Sequence, residues 1–122
     1  MRNAAEATLA QVRVALRKRL DMMAQLVEAA KEYATFERET LEAVTKMRTT
    51  VVSAMPEEVS DIERESRRIL ARLFAVAESY PALRTIESVS NLMNSVKSTE
   101  DEIARLRYTY NNIVQEYNTR VE

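Results

Sequence analysis

A chain of 122 residues that is 46% hydrophobic and 30% charged is long and apolar enough to form a single domain over residues 1–122. It contains no Gly, Cys or His, which excludes disulfides, thiolate nucleophiles, Gly-rich phosphate loops and the usual neutral-pH general base. Its net charge of −1 provides no basic field for nucleic acid, and the lack of Gly favours an all-α fold.

The first predicted helix runs from Asn3 to about Ala34. Helix formers fill it, and the cationic run Arg17-Lys18-Arg19 falls on its outward side, apart from the aliphatic stem of Arg19. The pattern weakens after Ala34, so we expect a tight turn near Thr35. Hydrophobic residues recur along this helix at spacings of three and four: Leu9, Val12, Leu16, Leu20, Met23, Val27, Ala30 and Tyr33.

Two further helices are separated by Pro56, which suits a first helical position. Glu57 and Glu58 then place negative charge near the positive end of the third helix, and Pro81 ends that helix. The second helix carries Leu41, Val44, Met47 or Arg48, Val51 and Met55. The third carries Val59, Ile62, Ser66, Ile69, Leu73, Val76 and Tyr80, widened by Leu70 and Ala77.

The last predicted helix runs from about Ile86 to Arg120. Its hydrophobic stripe is Ile86, Val89, Met93, Val96, Glu100, Ile103, Leu106 or Arg107, Tyr110, Ile113 or Val114, and Tyr117. Long outer helices with shorter inner ones and short turns predict an elongated antiparallel bundle of about four helices. Glu100 is the one carboxylate on this stripe and needs a cationic partner, either Arg19 or Arg72. We interpret it as a structural residue that fixes register.

Two Tyr-Asn pairs stand seven residues apart in the last helix. Tyr110 and Tyr117 fall on the hydrophobic stripe and are predicted to be structural, each burying its ring. Asn111 and Asn118 flank that stripe, where they either form interhelical hydrogen bonds or present a partner-binding surface.

A basic segment in the first helix contains Arg13, Arg17 and Lys18. Its ordinary interpretation is a solvated face. The alternative is a surface that binds a partner protein or anionic lipid.

Acidic residues cluster at Glu37, Glu39 and Glu42, at residues 57–65 and at residues 100–102. Without His the Glu-x-x-His motif of di-metal bundles is impossible, and no EF-hand spacing occurs. Helical pairs such as Glu63–Arg67 account for most of these charges. Carboxylate-based handling of iron remains the alternative function, but no metal or cofactor site is predicted.

The order of motifs resembles the soluble domain of the LemA family over nearly the whole chain. The first half matches at Arg2-Asn3, Gln11-Val12, Leu16 to Arg19, Asp21, Leu26-Val27, Tyr33-Ala34 and Glu39-Thr40-Leu41. The second half matches through the run RLFAVAESYP at residues 72–81, Ile103-Ala104-Arg105 and both Tyr-Asn pairs.

Some positions depart from the usual family pattern. Leu9 stands in place of a Trp, Met23-Ala24-Gln25 in place of Ile-Pro-Asn, and Glu32 in place of a Gly. Losing that Pro and Gly makes the first helix more continuous. These changes resemble the magnetosome-associated MamQ branch of the family.

The resemblance implies a non-enzymatic helical bundle carried on an N-terminal transmembrane helix outside this chain. The domain would face the cytoplasm at a bacterial inner or magnetosome membrane, recruit other membrane-associated proteins and act in magnetosome membrane formation. The family defines no catalytic residues, so none are carried over.

Overall fold

All regular structure in the described part of the chain is helical, which confirms the predicted all-α class. The computed structural model describes residues 2–36 and 38–121, with the side chains of residues 3–36 and 38–118. In chain order the elements are α1 (Arg2–Ala30), α2 (Arg38–Thr50), a 3₁₀ turn (Val51–Ser53), α3 (Pro56–Ser79), α4 (Pro81–Arg84) and α5 (Glu87–Val121).

The connections between the helices are made without Gly, because no described residue has a positive φ. α1 ends at Ala30, earlier than predicted, where its carbonyl accepts 3.0 Å hydrogen bonds from the N–H groups of Tyr33 and Ala34. The expected turn near Thr35 is confirmed. At the start of α3, the Glu58 carboxylate accepts a 3.1 Å hydrogen bond from the backbone N–H of Met55. Pro81 ends α3 as predicted, but it also opens the four-residue helix α4, which was not predicted.

Helix α1 lies at the centre of the bundle and packs against α2, α3 and α5. It is antiparallel to α2, since Arg13 contacts Ala54 whereas Asp21 contacts Arg48. It is parallel to α3, and the rings of Tyr33 and Tyr80 meet 6.0 Å apart beyond its end. The longest contact is the antiparallel one between α1 and α5, the first and last helices.

The predicted hydrophobic stripes form one core between these helices. Leu16, Leu20 and Met23 are fully buried, and burying such a side chain contributes about 2 kcal/mol each. α3 contributes Val59, Ile62, Ile69, Leu70, Leu73 and Ala77, and α5 contributes Val89, Val96 and Ile103. Four stripe residues differ from expectation: Met55 is 59% exposed, Tyr80 and Tyr117 are each 41% exposed, and Ile86 is 38% exposed.

Candidate functional site

Three guanidinium groups from three helices converge on one buried carboxylate, Glu63 of α3. Arg19 of α1 lies 3.8 Å from Glu63 Oε1, while Arg67 of α3 and Arg107 of α5 lie 2.9 and 3.0 Å from Oε2. The side chains of Arg19 and Glu63 are only 1% and 7% exposed. We call these four residues the Glu63 cluster. It ties three helices together at a charged junction inside an otherwise apolar bundle.

Backbone and hydroxyl groups hold Arg19 in place. Its Nη2 donates to the Glu63 carbonyl at 3.0 Å and to the hydroxyl of Ser66, which itself donates to the same carbonyl at 3.0 Å. Arg19 Nε is buried and has no hydrogen-bond partner among the described residues. Burial lowers the pKa of Arg19 from its ordinary value, while the carboxylates of Glu63 and Glu100 oppose that shift.

A groove of about 570 Å³ opens from the Glu63 cluster toward solvent. On its α5 side it is lined by Glu100, Asp101, Ala104, Tyr108 and Asn111. Three arginines and three carboxylates line the groove, so it is suited to hydrogen bonding with polar groups of a docked molecule. In the described part of the chain no group of three or more acidic side chains is placed to hold a metal ion. Glu37, a member of the first acidic cluster noted in the sequence, lies outside the described residues.

Glu100 lies beside this groove and is half-buried. Its charge acts on Arg19, one of its two predicted partners. The ion pair of Arg19 within 4 Å, however, is made with Glu63. Arg72, the other predicted partner, donates instead to the Thr40 hydroxyl at 3.4 Å. The role of Glu100 in fixing register therefore stays a prediction.

The three residues of the predicted basic segment lie in different surroundings. Arg13 donates from Nε to the carbonyl of Ala54 at 2.8 Å. Arg17 donates to the carbonyl of Arg48 at 2.7 Å and to Asp21 at 3.0 Å. Lys18 is exposed. Arg17 therefore braces α1 against the end of α2, and Arg13 braces it against the connection that leads to α3, so Lys18 is the residue of this segment most open to solvent.

The two Tyr-Asn pairs lie on the half of α5 nearest the start of α1. Tyr110 is half-buried and packs against the core, whereas the ring of Tyr117 is more open to solvent. Asn111 and Asn118 are exposed, and Asn111 also borders a second groove of about 420 Å³ beside Leu9. Partner binding by these two Asn residues stays a prediction.

Glu63 is the central residue that the sequence analysis missed, because it was assigned to an exposed helical pair with Arg67. That pair exists, but Glu63 is also buried. A signal for it was present: Ala77, Leu70 and Glu63 are seven residues apart, so the stripe that widens α3 extends back to Glu63.

Comparisons with known proteins agree with the resemblance seen in the sequence. The model of the LemA family matches residues 8–122. Two curated proteins of Paramagnetospirillum magneticum, magnetosome protein MamQ 1 and magnetosome protein MamQ 2, are each 36% identical to this chain over 52 residues. Each match covers 43% of this chain and 19% of the relative, so it spans about a fifth of those proteins' length. No helix in the described residues is long and apolar enough to cross a bilayer.

Proposed function

We propose that this chain, which belongs to the LemA family, is a non-enzymatic interaction domain of a membrane protein. A transmembrane helix elsewhere in the full-length protein would hold it at the cytoplasmic face of a bacterial inner or magnetosome membrane. There it would organise other membrane-associated proteins while the magnetosome membrane forms.

The observation that carries this proposal is the similarity to two proteins named for the magnetosome. The similarity covers only part of each protein, so it supports a shared setting and leaves the partner open.

The chemistry of the Glu63 cluster also supports binding over catalysis. Glu63 is already engaged by three arginines, and the sequence supplies no His or Cys to act as base or nucleophile. The exposed polar side chains at the groove, Tyr108 and Asn111, are of the kind that recognise a protein surface.

The proposal is tested by deleting the gene in the bacterium that encodes it and imaging its magnetosome membranes by electron cryotomography. We expect fewer membrane compartments, restored by the intact gene. We expect weaker restoration by Lys18→Glu or by Asn111→Ala with Asn118→Ala, because these exposed changes alter the surface and spare the core. Lys46→Glu, an exposed charge reversal on α2, is the matched control and should restore fully.

Unchanged compartments after deletion would remove the magnetosome role. If every variant restored the compartments equally, the assignment of these surfaces to partner binding would be wrong, but the proposed role of the domain would stand.

A further inference from the structure

Two exposed valines lie close together on the surface, one on α1 and one in the 3₁₀ turn. Val14 is 70% exposed, although the hydrophobic stripe on the inner side of the same helix is buried. Val52, in the 3₁₀ turn, is 61% exposed. Together with Ala10 and the stems of Arg13 and Arg17, these two valines line a hollow of about 280 Å³. Apolar side chains that converge in this way mark a candidate contact surface.

A second hollow lies on the other side of Val14, toward α5. Its volume is about 460 Å³, and its lining residues are Ala10, Gln11, Val14, Glu102, Arg105 and Leu106. Val14 therefore forms a ridge between two depressions, with the small side chain of Ala10 one turn away on α1. We call the two hollows and this ridge the Val14 trough. Ridges and depressions of this kind accept the side chains of a packed helix, which also project three and four residues apart.

The charges around the Val14 trough are unbalanced toward positive, although the whole chain carries −1. Arg13, Arg17 and Arg105 line the two hollows against Glu102, while Lys18 and Asp21 follow farther along α1 and Glu6 lies one turn before Ala10. Asp21 is already shared by Arg17 and Arg48. Arg13, Lys18 and Arg105 form no ion pair within the described residues, and the Nε of Arg13 donates to a neutral carbonyl. A partner with carboxylates beside its apolar face would complement this rim.

We propose that the Val14 trough binds an amphipathic α-helix of a partner protein, one with acidic residues flanking its apolar face. This inference rests on the proposed function as an interaction domain and names the class of partner. A second copy of this chain would bring the same cationic rim against itself, so like charges would oppose self-association through the trough. A lipid surface would contact the Val14 ridge but leave the two hollows unfilled.

The test uses the 122-residue chain and a helical peptide of about 18 residues, with Leu at every third or fourth position and Glu on both flanks. The matched peptide carries Lys in place of each Glu. Binding is measured by fluorescence anisotropy and located by NMR. We expect the acidic peptide to bind more tightly than the basic one and to shift the resonances of Ala10, Val14 and Val52.

Variants of exposed residues connect that binding to the trough. Val14→Asp should weaken binding of the acidic peptide by about tenfold or more, because it places a carboxylate on the ridge. Lys18→Glu should weaken it about threefold, as expected for one exposed charge pair. Lys46→Glu should have no effect. Val52→Asp, on a different element, tests the same surface if Val14→Asp loses its helical circular-dichroism signal.

Four outcomes would overturn the inference. The acidic peptide fails to bind, or binds equally to the two Asp variants. The chain binds vesicles of phosphatidylcholine with about one quarter phosphatidylglycerol through Val14 but does not bind the peptide, which assigns the surface to lipid. Sedimentation shows self-association that Val14→Asp abolishes, which assigns it to a second copy. None of these outcomes bears on the gene-deletion result, so the two proposals fail separately.

Discussion

Two ion-pair clusters involve residues of α1 that are only two positions apart, yet they differ in surroundings. In the Glu63 cluster, one carboxylate that is 7% exposed serves three arginines. In the second, Asp21 is 39% exposed and serves Arg17 and Arg48 at 3.0 and 2.8 Å. Both clusters pair a carboxylate with guanidinium groups, so the difference in burial decides how much each carboxylate contributes to the free energy of unfolding. Water can replace a lost partner of Asp21, whereas Arg19 and Glu63, at 1% and 7% exposure, have little access to water.

The largest effect is expected from Glu63→Gln. This change leaves the buried guanidinium of Arg19 without its nearest countercharge, and breaking a buried pair typically lowers the free energy of unfolding by about 3–5 kcal/mol. Urea denaturation followed by circular dichroism measures it. A loss no greater than that of a surface substitution would show that the cluster is solvated and that the contrast with Asp21 is wrong.

The double variant Arg19→Met with Glu63→Met sharpens the same point. It removes both buried charges and leaves Arg67 and Arg107, which are 60% and 35% exposed, free to turn toward water. We expect it to be more stable than Glu63→Gln, because an apolar replacement avoids an unpaired buried charge. If the double variant is destabilised as much as Glu63→Gln, lost packing and not an unpaired buried charge explains the loss of stability.

Asp21→Asn should lower the free energy of unfolding by no more than about 1 kcal/mol, since its pairs are partly screened by solvent. The same denaturation measurement applies, with Lys46→Glu as an exposed control that should change little. A loss comparable to that of Glu63→Gln would contradict the claim that exposure separates the two clusters.

The smallest effect concerns Glu65, a partly exposed residue of α3 near the Glu63 cluster in sequence. A hydrogen bond from Arg68 lowers the pKa of Glu65. A carboxyl whose pKa is lower in the folded state adds stability above its unfolded pKa and loses it as pH falls through the folded pKa. Because the site is exposed, we expect less than about 0.5 kcal/mol. Glu65→Gln should therefore lose slightly less stability than the parent between neutral pH and about pH 3, as measured by urea titration. If the variant lost stability more steeply than the parent as the pH falls, the direction assigned to the pKa shift of Glu65 would be wrong.

The sequence was sufficient for the fold because each long helix repeats its hydrophobic residues regularly and Pro56 and Pro81 mark two ends. α4 escaped prediction because four residues contain too few positions to show a period. The candidate functional site was harder to predict from the sequence. Successive residues of a helix point about 100° apart, so Arg17, Lys18 and Arg19 have three environments that depend on how α1 rotates against its neighbours. The sequence analysis did not predict that Val14 and Val52 share a surface, because no local sequence pattern indicates that α1 and the 3₁₀ turn lie side by side.

The contact between the first and last helices has a consequence for how the protein is made. α1 leaves the ribosome about 90 residues before the end of α5, which at 5–20 residues per second is a delay of about 5 to 20 s. During that time the apolar stripe of α1 lacks its longest partner and Glu63 lacks Arg107. Nascent chains therefore spend seconds with unshielded hydrophobic surface, when chaperones would bind them most readily.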